Sequence, residues 1–132
     1  MKTIPEEFQP LLEDDAEAFA FLATTMDDGT PQVTPVWFDL EGETIRINTA
    51  RGRVKDINMS HRPAVALAIM DPDNPYRYIQ VRGTVVGSTE EGAREHIDRL
   101  AGKYLGKEEF SGSPSDTRVI YFIQSLQFSC MG

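Results

Sequence analysis

Two β-prone runs meet at an aspartate–glycine pair, and this junction limits the possible folds more than any other feature of the chain. Phe19-Ala20-Phe21-Leu22-Ala23-Thr24-Thr25 has a strand pattern and runs into Met26-Asp27-Asp28-Gly29-Thr30. Glycine takes φ > 0 there freely, so Asp28-Gly29 marks a hairpin. A second strand is expected over Gln32-Val33-Thr34-Pro35-Val36-Trp37-Phe38. Its Pro35 cannot donate to a ladder, which makes the strand an edge, a bulge, or a place where backbone faces a ligand.

The rest of the chain continues in the same style. Phe8, Leu11 and Leu12 recur at helical spacing before Ala16, behind Glu6 and Glu7, which suit the positive end of a helix. Glu41-Gly42 turns the chain into an alternating strand, Thr44–Thr49, and residues 51–60 break the alternation as a short helix. Ala64–Met70 is a continuous apolar run, expected to be a strand buried on both faces. After the rigid loop Asp71–Pro75, Tyr76–Val86 forms a long strand whose Gly83 suggests a bulge or barrel corner. Ser88 or Thr89 would cap a helix with an apolar stripe of Ala93, Ile97, Leu100, Ala101 and Tyr104. A polar loop, Gly106–Ser115, leads to final strands at Val119–Phe122 and Leu126–Cys130. Strands in adjacent hairpins argue against a parallel doubly wound sheet. They favour a mainly antiparallel barrel with small helices at its rim. At 132 residues the chain fits a single domain, 1–132, with room for a core but not for separate nucleotide and substrate domains.

Composition removes several function classes. A formal net charge of -8 opposes general nucleic-acid binding, which needs a positive surface. No apolar stretch approaches the ~20 residues of a membrane span, and the opening Met1–Glu7 lacks the apolar core of a signal peptide. A single cysteine, Cys130, permits no internal disulfide and suits a reducing, cytoplasmic setting. Neither His61 nor His96 has a companion motif that would make Cys130 a nucleophile, and no zinc or EF-hand spacing is present.

Within this acidic chain the cations are not spread evenly. Only Lys2 and Arg46 precede Ala50; then Arg51, Arg53, Lys55 and Arg62 arrive within twelve residues, opposed only by Asp56. On a helix starting near Ala50, Arg51 and Lys55 would stand at i and i+4, and cations there oppose the macrodipole. A bound phosphate would reverse both penalties, meeting free backbone N–H groups, an arginine fork and a lysine. Thr49 could add a hydroxyl. The alternative is that these cations are solvated or paired with acids elsewhere. Trp37 beside Pro35 is either core filling or part of an apolar floor for a flat aromatic ligand. Tyr76, Tyr78 and Gln80 share one strand face, either exposed or lining a pocket mouth. His61 reads as a polar helix end and His96 as exposed on its helix.

Taken in order, Phe21-Leu22-Ala23-Thr24, Asp28-Gly29-Thr30-Pro31-Gln32, Thr34-Pro35-Val36-Trp37, Ile47–Met59, His61-Arg62-Pro63-Ala64-Val65-Ala66-Leu67 and Val81-Arg82-Gly83-Thr84-Val85 resemble the pyridoxamine 5′-phosphate oxidase-like split-barrel superfamily. The resemblance spans roughly Leu11 to Phe128 and is nearest to the flavin/deazaflavin oxidoreductase branch. It implies an antiparallel split β-barrel with short flanking helices and a homodimer with cofactor sites at the subunit interface. By it, Thr49, Arg53 and Lys55 hold the cofactor phosphate and Asn58 steadies the helix start. The backbone of Thr34, Pro35, Val36 and Trp37 faces the tricyclic ring, with Tyr78 near it. The cofactor implied is coenzyme F420, with FMN as the alternative; Val54, standing where some FMN-binding relatives have arginine, tilts the reading toward the deazaflavin. The arginine and histidine pattern expected near the C-terminus of true pyridoxamine phosphate oxidases is missing.

Two other readings stand beside an oxidoreductase acting on a small unsaturated or conjugated substrate. One is a non-enzymatic flavin, deazaflavin or haem carrier on the same barrel. The other is a structural dimer whose basic cluster is salt-bridged. In the first case the cofactor carries the hydride and the protein supplies binding and orientation, so no catalytic side chain is nominated.

Overall fold

The aspartate–glycine junction folds as its residues dictate. In the computed structural model, which describes residues 4–132, Gly29 sits at φ 87°. Asp28 Oδ1 accepts the Thr30 N–H at 2.9 Å, and Met26 N donates to Thr30 O at 2.8 Å. This turn joins β1 (Ala20–Thr25) to β2 (Pro31–Val36) in antiparallel register, from Thr25 opposite Pro31 to Ala20 opposite Val36. Of the opening Met1–Glu7, Met1–Thr3 lie outside the described residues.

The expected second strand breaks at Trp37. Beyond it, β3 (Phe38–Glu41) pairs with β4 (Thr44–Ala50) rather than with β1. The order across the seven-stranded sheet is β2-β1-β5-β6-β7-β4-β3, with β5 (Ala64–Asp71), β6 (Asn74–Thr89) and β7 (Arg118–Met131) between the ends. The two edge strands are therefore consecutive in the chain, and Trp37 is the corner between them. A sheet whose opposite edges share one residue of linker must curl, and a strand that changes partners at a bend is the usual way to make such a corner. The curl encloses Leu22, Phe38, Ile45, Ile47, Leu67, Ile69, Ile79, Val81, Val119, Tyr121 and Ile123, all nearly inaccessible to solvent. Each comes from the inward set of an alternating strand. The fold is the mainly β, antiparallel split barrel with few short helices that the sequence suggests.

Four local expectations need correction. β5 is not buried on both faces: Val65, Leu67 and Ile69 point inward, while Ala66, Ala68 and Met70 are only half-covered. The small residues on that outer side resemble core without being fully enclosed. The last two strands are one. β7 runs unbroken opposite β6, accommodating irregularities beside Arg82/Gly83 and between Val85 and Gly87. The Gly83 bulge is thus present, and the pairing jump from Gln127 to Ser125 leaves Leu126 as the extra residue. Ser88 and Thr89 do not cap a helix; they end β6 opposite Tyr121 and Ile120. Helix α2 (Ala93–Leu105) starts after Gly92, which adopts φ 76°. Finally, the N-terminal helix at Glu6–Leu12 is 3-10, with Pro10 inside it unable to supply an i→i−4 donor. Its Phe8, Leu11 and Leu12 are buried as expected.

Helix α1 (Val54–His61) lies against β1 and β4 and turns Asp56, Asn58 and Met59 inward. Helix α2 covers the outer side of β4 and β7 with the apolar stripe read from the sequence. Among the described residues no helix is long and apolar enough to cross a membrane.

Candidate functional site

The cations between β4 and α1 do not share one fate. The helix begins at Val54 with Arg53 as its cap residue, three residues later than the charge pattern suggested, so Arg51 is not on a helical face with Lys55. Instead Gly52, at φ 92°, turns the chain so that Arg51 reaches back. Its Nη1 meets Asp56 Oδ1 at 3.0 Å and its Nε meets Glu90 Oε2 at 2.8 Å. Asp56 is in turn held by Tyr121 Oη at 2.6 Å and Gly52 N at 2.9 Å. Burial raises the Asp56 carboxyl, but these donors win and keep it below the ordinary value. Arg62 is likewise occupied, donating to Thr25 O at 2.6 Å and to Asn58 Oδ1 at 3.1 Å, with Asp27 3.6 Å away. The salt-bridged reading of the cluster therefore holds for Arg51 and Arg62.

It does not hold for the other two. The side chains of Arg53 and Lys55 make no hydrogen bond or ion pair among the described residues. Arg53 is exposed; Lys55 is half-buried. Burial, followed by repulsion from Arg53 and Arg118, holds the Lys55 ammonium below the usual lysine value. A half-desolvated cation facing other cations, in a protein with 21 acidic residues, lacks the partner that such a group normally has.

Arg118 is the residue the sequence did not single out. It opens β7 opposite Ala50, where β4 hands over to the α1 loop, and only 8% of it is exposed. Its Nε donates to Asn48 Oδ1 at 2.9 Å, and its guanidinium lies 5.1 Å from the Phe110 ring centre. No spacing rule could have found it, because the chain separation from Lys55 is closed only by the β4–β7 pairing.

The remaining candidates divide. Thr49 is buried at the end of β4, next to the basic turn. Asn58 is also buried, but its side chain serves β1 rather than the helix start: Nδ2 donates to Thr24 Oγ1 at 2.9 Å. Thr34, Pro35 and Val36 lie on the edge strand β2, which has a strand partner on one side only; Val36 is buried and Pro35 exposed. Trp37 is half-buried, stacked on Tyr104 at 5.4 Å and meeting Phe110 edge-on at 6.0 Å. Phe110 thus touches both Trp37 and Arg118 and links the corner of the barrel to the basic turn. It sits in the loop after α2, which Asp98 and Arg94 pin by hydrogen bonds to Phe110 N, Ser113 O and Asp116 O.

Tyr78 lies elsewhere. It pairs with Met131, at the end of β7 opposite to Arg118, so one chain does not gather Tyr78 with Lys55. Tyr76, Tyr78 and Gln80 do share the outer face of β6, with Tyr76 the most exposed. His61 ends α1 at the surface, its Nδ1 2.8 Å from Ile57 O. His96, expected to be exposed, is 4% exposed and wedged between Asp39 and Asn48. Burial, followed by the charge of Glu7, pushes the Cys130 thiol up. Among the described residues no group of three or more His, Cys, Asp or Glu side chains is placed to hold a metal.

Residues 4–124 match the family profile described as pyridoxamine 5′-phosphate oxidase. Among solved structures, one named F420 Reductase is 36% identical, covering 96% of this chain and 98% of that one with a TM-score of 0.83. The Mycobacterium tuberculosis protein Rv2991 is 19% identical over 98% of this chain and 85% of that one, TM-score 0.72. General Stress Protein 26 from Bacillus anthracis is 16% identical over 96% and 92%, TM-score 0.68. The last two share the fold. No curated protein matches.

Proposed function

The chain belongs to the pyridoxamine 5′-phosphate oxidase family, and from that premise we propose that it is an oxidoreductase that binds a phosphorylated flavin-type cofactor at the β4–α1 turn. The observation that carries this reading is Lys55, half-buried beside Arg53 and Arg118 with no anion to balance it. A phosphate group supplies that balance. It would take charge-assisted hydrogen bonds from Arg53 and Lys55 and from the first free N–H groups of α1, with the Thr49 hydroxyl alongside. The residues present therefore fit the group. When bound, a flavin or deazaflavin supplies hydride transfer, and the protein supplies the rest.

Each remaining part has a defined task in this account. The free edge of β2 from Thr34 to Trp37 offers backbone N–H and C=O groups to the ring system. Arg51, spent on Asp56 and Glu90, braces the turn that carries Arg53 and Lys55. Asn58 anchors α1 to β1 through Thr24. Coenzyme F420 is the cofactor we favour, supported by the 36% identity to the F420 Reductase structure and by Val54; FMN is the alternative. The substrate we propose is a small unsaturated or conjugated molecule.

We further propose a single-domain, cytoplasmic homodimer. The outer face of β2-β1-β5 carries Val33, Pro35, Phe21, Ala23, Ala66, Ala68 and Met70, each half-buried or exposed. Val33 alone is 63% exposed. A contiguous apolar sheet face of this kind suits a self-complementary contact. A second copy would also bring a Tyr78 toward a cofactor site that its own chain leaves remote.

Absorbance titration with F420 and with FMN tests the reading, followed by mixing the loaded, reduced protein with conjugated acceptors. Binding plus oxidation faster than in protein-free solution supports the oxidoreductase. Binding without acceleration favours the carrier, and failure to bind either cofactor defeats both.

A further inference from the structure

A continuous chain of buried polar side chains runs under α2 and ends at Arg118. Asp39 stands opposite Arg46 across the β3–β4 pair, and the Arg46 fork holds both carboxylate oxygens, at 2.8 and 2.7 Å. His96 Nε2 lies 3.0 Å from Asp39 Oδ1. On the other side of the imidazole, Asn48 Nδ2 is 3.0 Å from His96 Nδ1 and donates to Ala93 O at 2.8 Å. Asn48 Oδ1 then accepts from Arg118 Nε at 2.9 Å.

Donor and acceptor rules leave one arrangement of protons. Arg118 can only donate, so the Asn48 oxygen must face it and the amide N–H₂ must face Ala93 and His96. Nδ1 of His96 is therefore an acceptor, and the ring proton sits on Nε2, directed to Asp39. From Asp39 through His96 to Asn48 each facing donor meets an acceptor, and the two histidine nitrogens are told apart by their neighbours.

Arg118 shows what the chain accomplishes. Its Nε is bound to Asn48 and one face rests on Phe110, which removes the side chain's freedom to swing. Its Nη atoms have no hydrogen-bond or carboxylate partner among the described residues. Burial and the nearby Arg53 and Arg94 disfavour its charge, with only Asp116 helping. Arg46 and Arg51, by contrast, both end on carboxylates. A guanidinium fixed at one end, free at the other and surrounded by cations is arranged for an oxyanion.

We infer that Arg118 is a further anion ligand of this site and that His96, acting through Asn48, is its positioning residue, with Asp39 setting the histidine tautomer. This rests on the proposed phosphate site and adds to it a specificity element for the phosphorylated form of the cofactor.

The test compares affinity for FMN with that for riboflavin, and for F420 with that for its dephosphorylated deazaflavin core, in wild type and variants. In wild type the phosphorylated form should bind at least tenfold tighter. Arg118→Ala should lose roughly ten- to a hundredfold of that preference while leaving the dephosphorylated affinity in place. His96→Leu should lose several-fold of it, His96→Gln less, and His96→Leu should add nothing in the Arg118→Ala background. Arg118→Lys, which retains charge and packing volume but has no Nε–H for Asn48, should resemble Arg118→Ala. Equal wild-type affinity for the two forms would overturn the phosphate site itself. A wild-type preference that survives Arg118→Ala, or independent effects of the His96 and Arg118 changes, would overturn this inference alone.

Discussion

Arg51 and Arg53 stand two residues apart, yet Arg51 is held by Asp56 and Glu90 while the Arg53 side chain has no partner among the described residues. The glycine between them turns the backbone, and this separates a structural cation from one that is available. Arg51→Ala is expected to lower stability by about 1 kcal/mol, the scale of a partly exposed ion pair with a hydrogen-bonded carboxylate, and to change cofactor affinity little. Arg53→Ala should do the reverse, leaving stability within about 0.5 kcal/mol of wild type and weakening F420 binding. Urea unfolding and cofactor titration on the two variants check the contrast.

The barrel bend should be sensitive to one methyl group. A Cβ on Gly83 would come within 2.9 Å of Gln124 O and of Ile123 Cγ2. The first is backbone and cannot turn aside, so β7 must move. Gly83→Ala is expected to cost about 1–3 kcal/mol, read as a lower urea midpoint.

Acid should weaken the fold through Asp39. Burial pushes its carboxyl up, but hydrogen bonds from His96 and Arg46 outweigh this and bring it down to about 2 from 3.8. A depressed folded-state value means the stabilisation is complete above the unfolded-state value and is lost as pH falls from about 4 to about 2. The amount is about 2 kcal/mol. Asp39→Asn should lack that part of the acid response; an identical loss in wild type and variant would contradict the assignment.

If the outer face of β5 is covered by a second copy, a charge there should split the pair. Ala68 lies between Phe21 and Gln80 on neighbouring strands, half-buried. Ala68→Glu is expected to sediment as a monomer with near-native circular dichroism, because within one chain the carboxylate can reach water.

How much of this was legible beforehand follows from the range of the forces involved. The Asp28-Gly29 turn, the Gly83 bulge and the α2 stripe rest on local rules and appear where the sequence puts them. The split of the second strand at Trp37 does not, because Phe38 leaves β1 for β4 only when the sheet curls. Ala64–Met70 looks buried on both faces since small apolar residues suit either a core or an uncovered outer face. His96 was placed at the surface by its charged neighbours, yet Asp39 and Asn48, 57 and 48 positions away, draw it under the helix. Arg118 was missed for the same reason. The basic turn itself was visible as a cluster; that the side chains of Arg53 and Lys55 in it lack a partner among the described residues needed the fold.

The decisive measurement is F420 affinity of Lys55→Ala against wild type, followed by quenching of Trp37 fluorescence. Removing the half-buried ammonium should weaken binding by about 1.5–3 kcal/mol, roughly ten- to a hundredfold, while the protein unfolds at an unchanged or higher urea concentration. An affinity equal to wild type would mean that no anion rests on the β4–α1 turn, and the cofactor assignment would go with it.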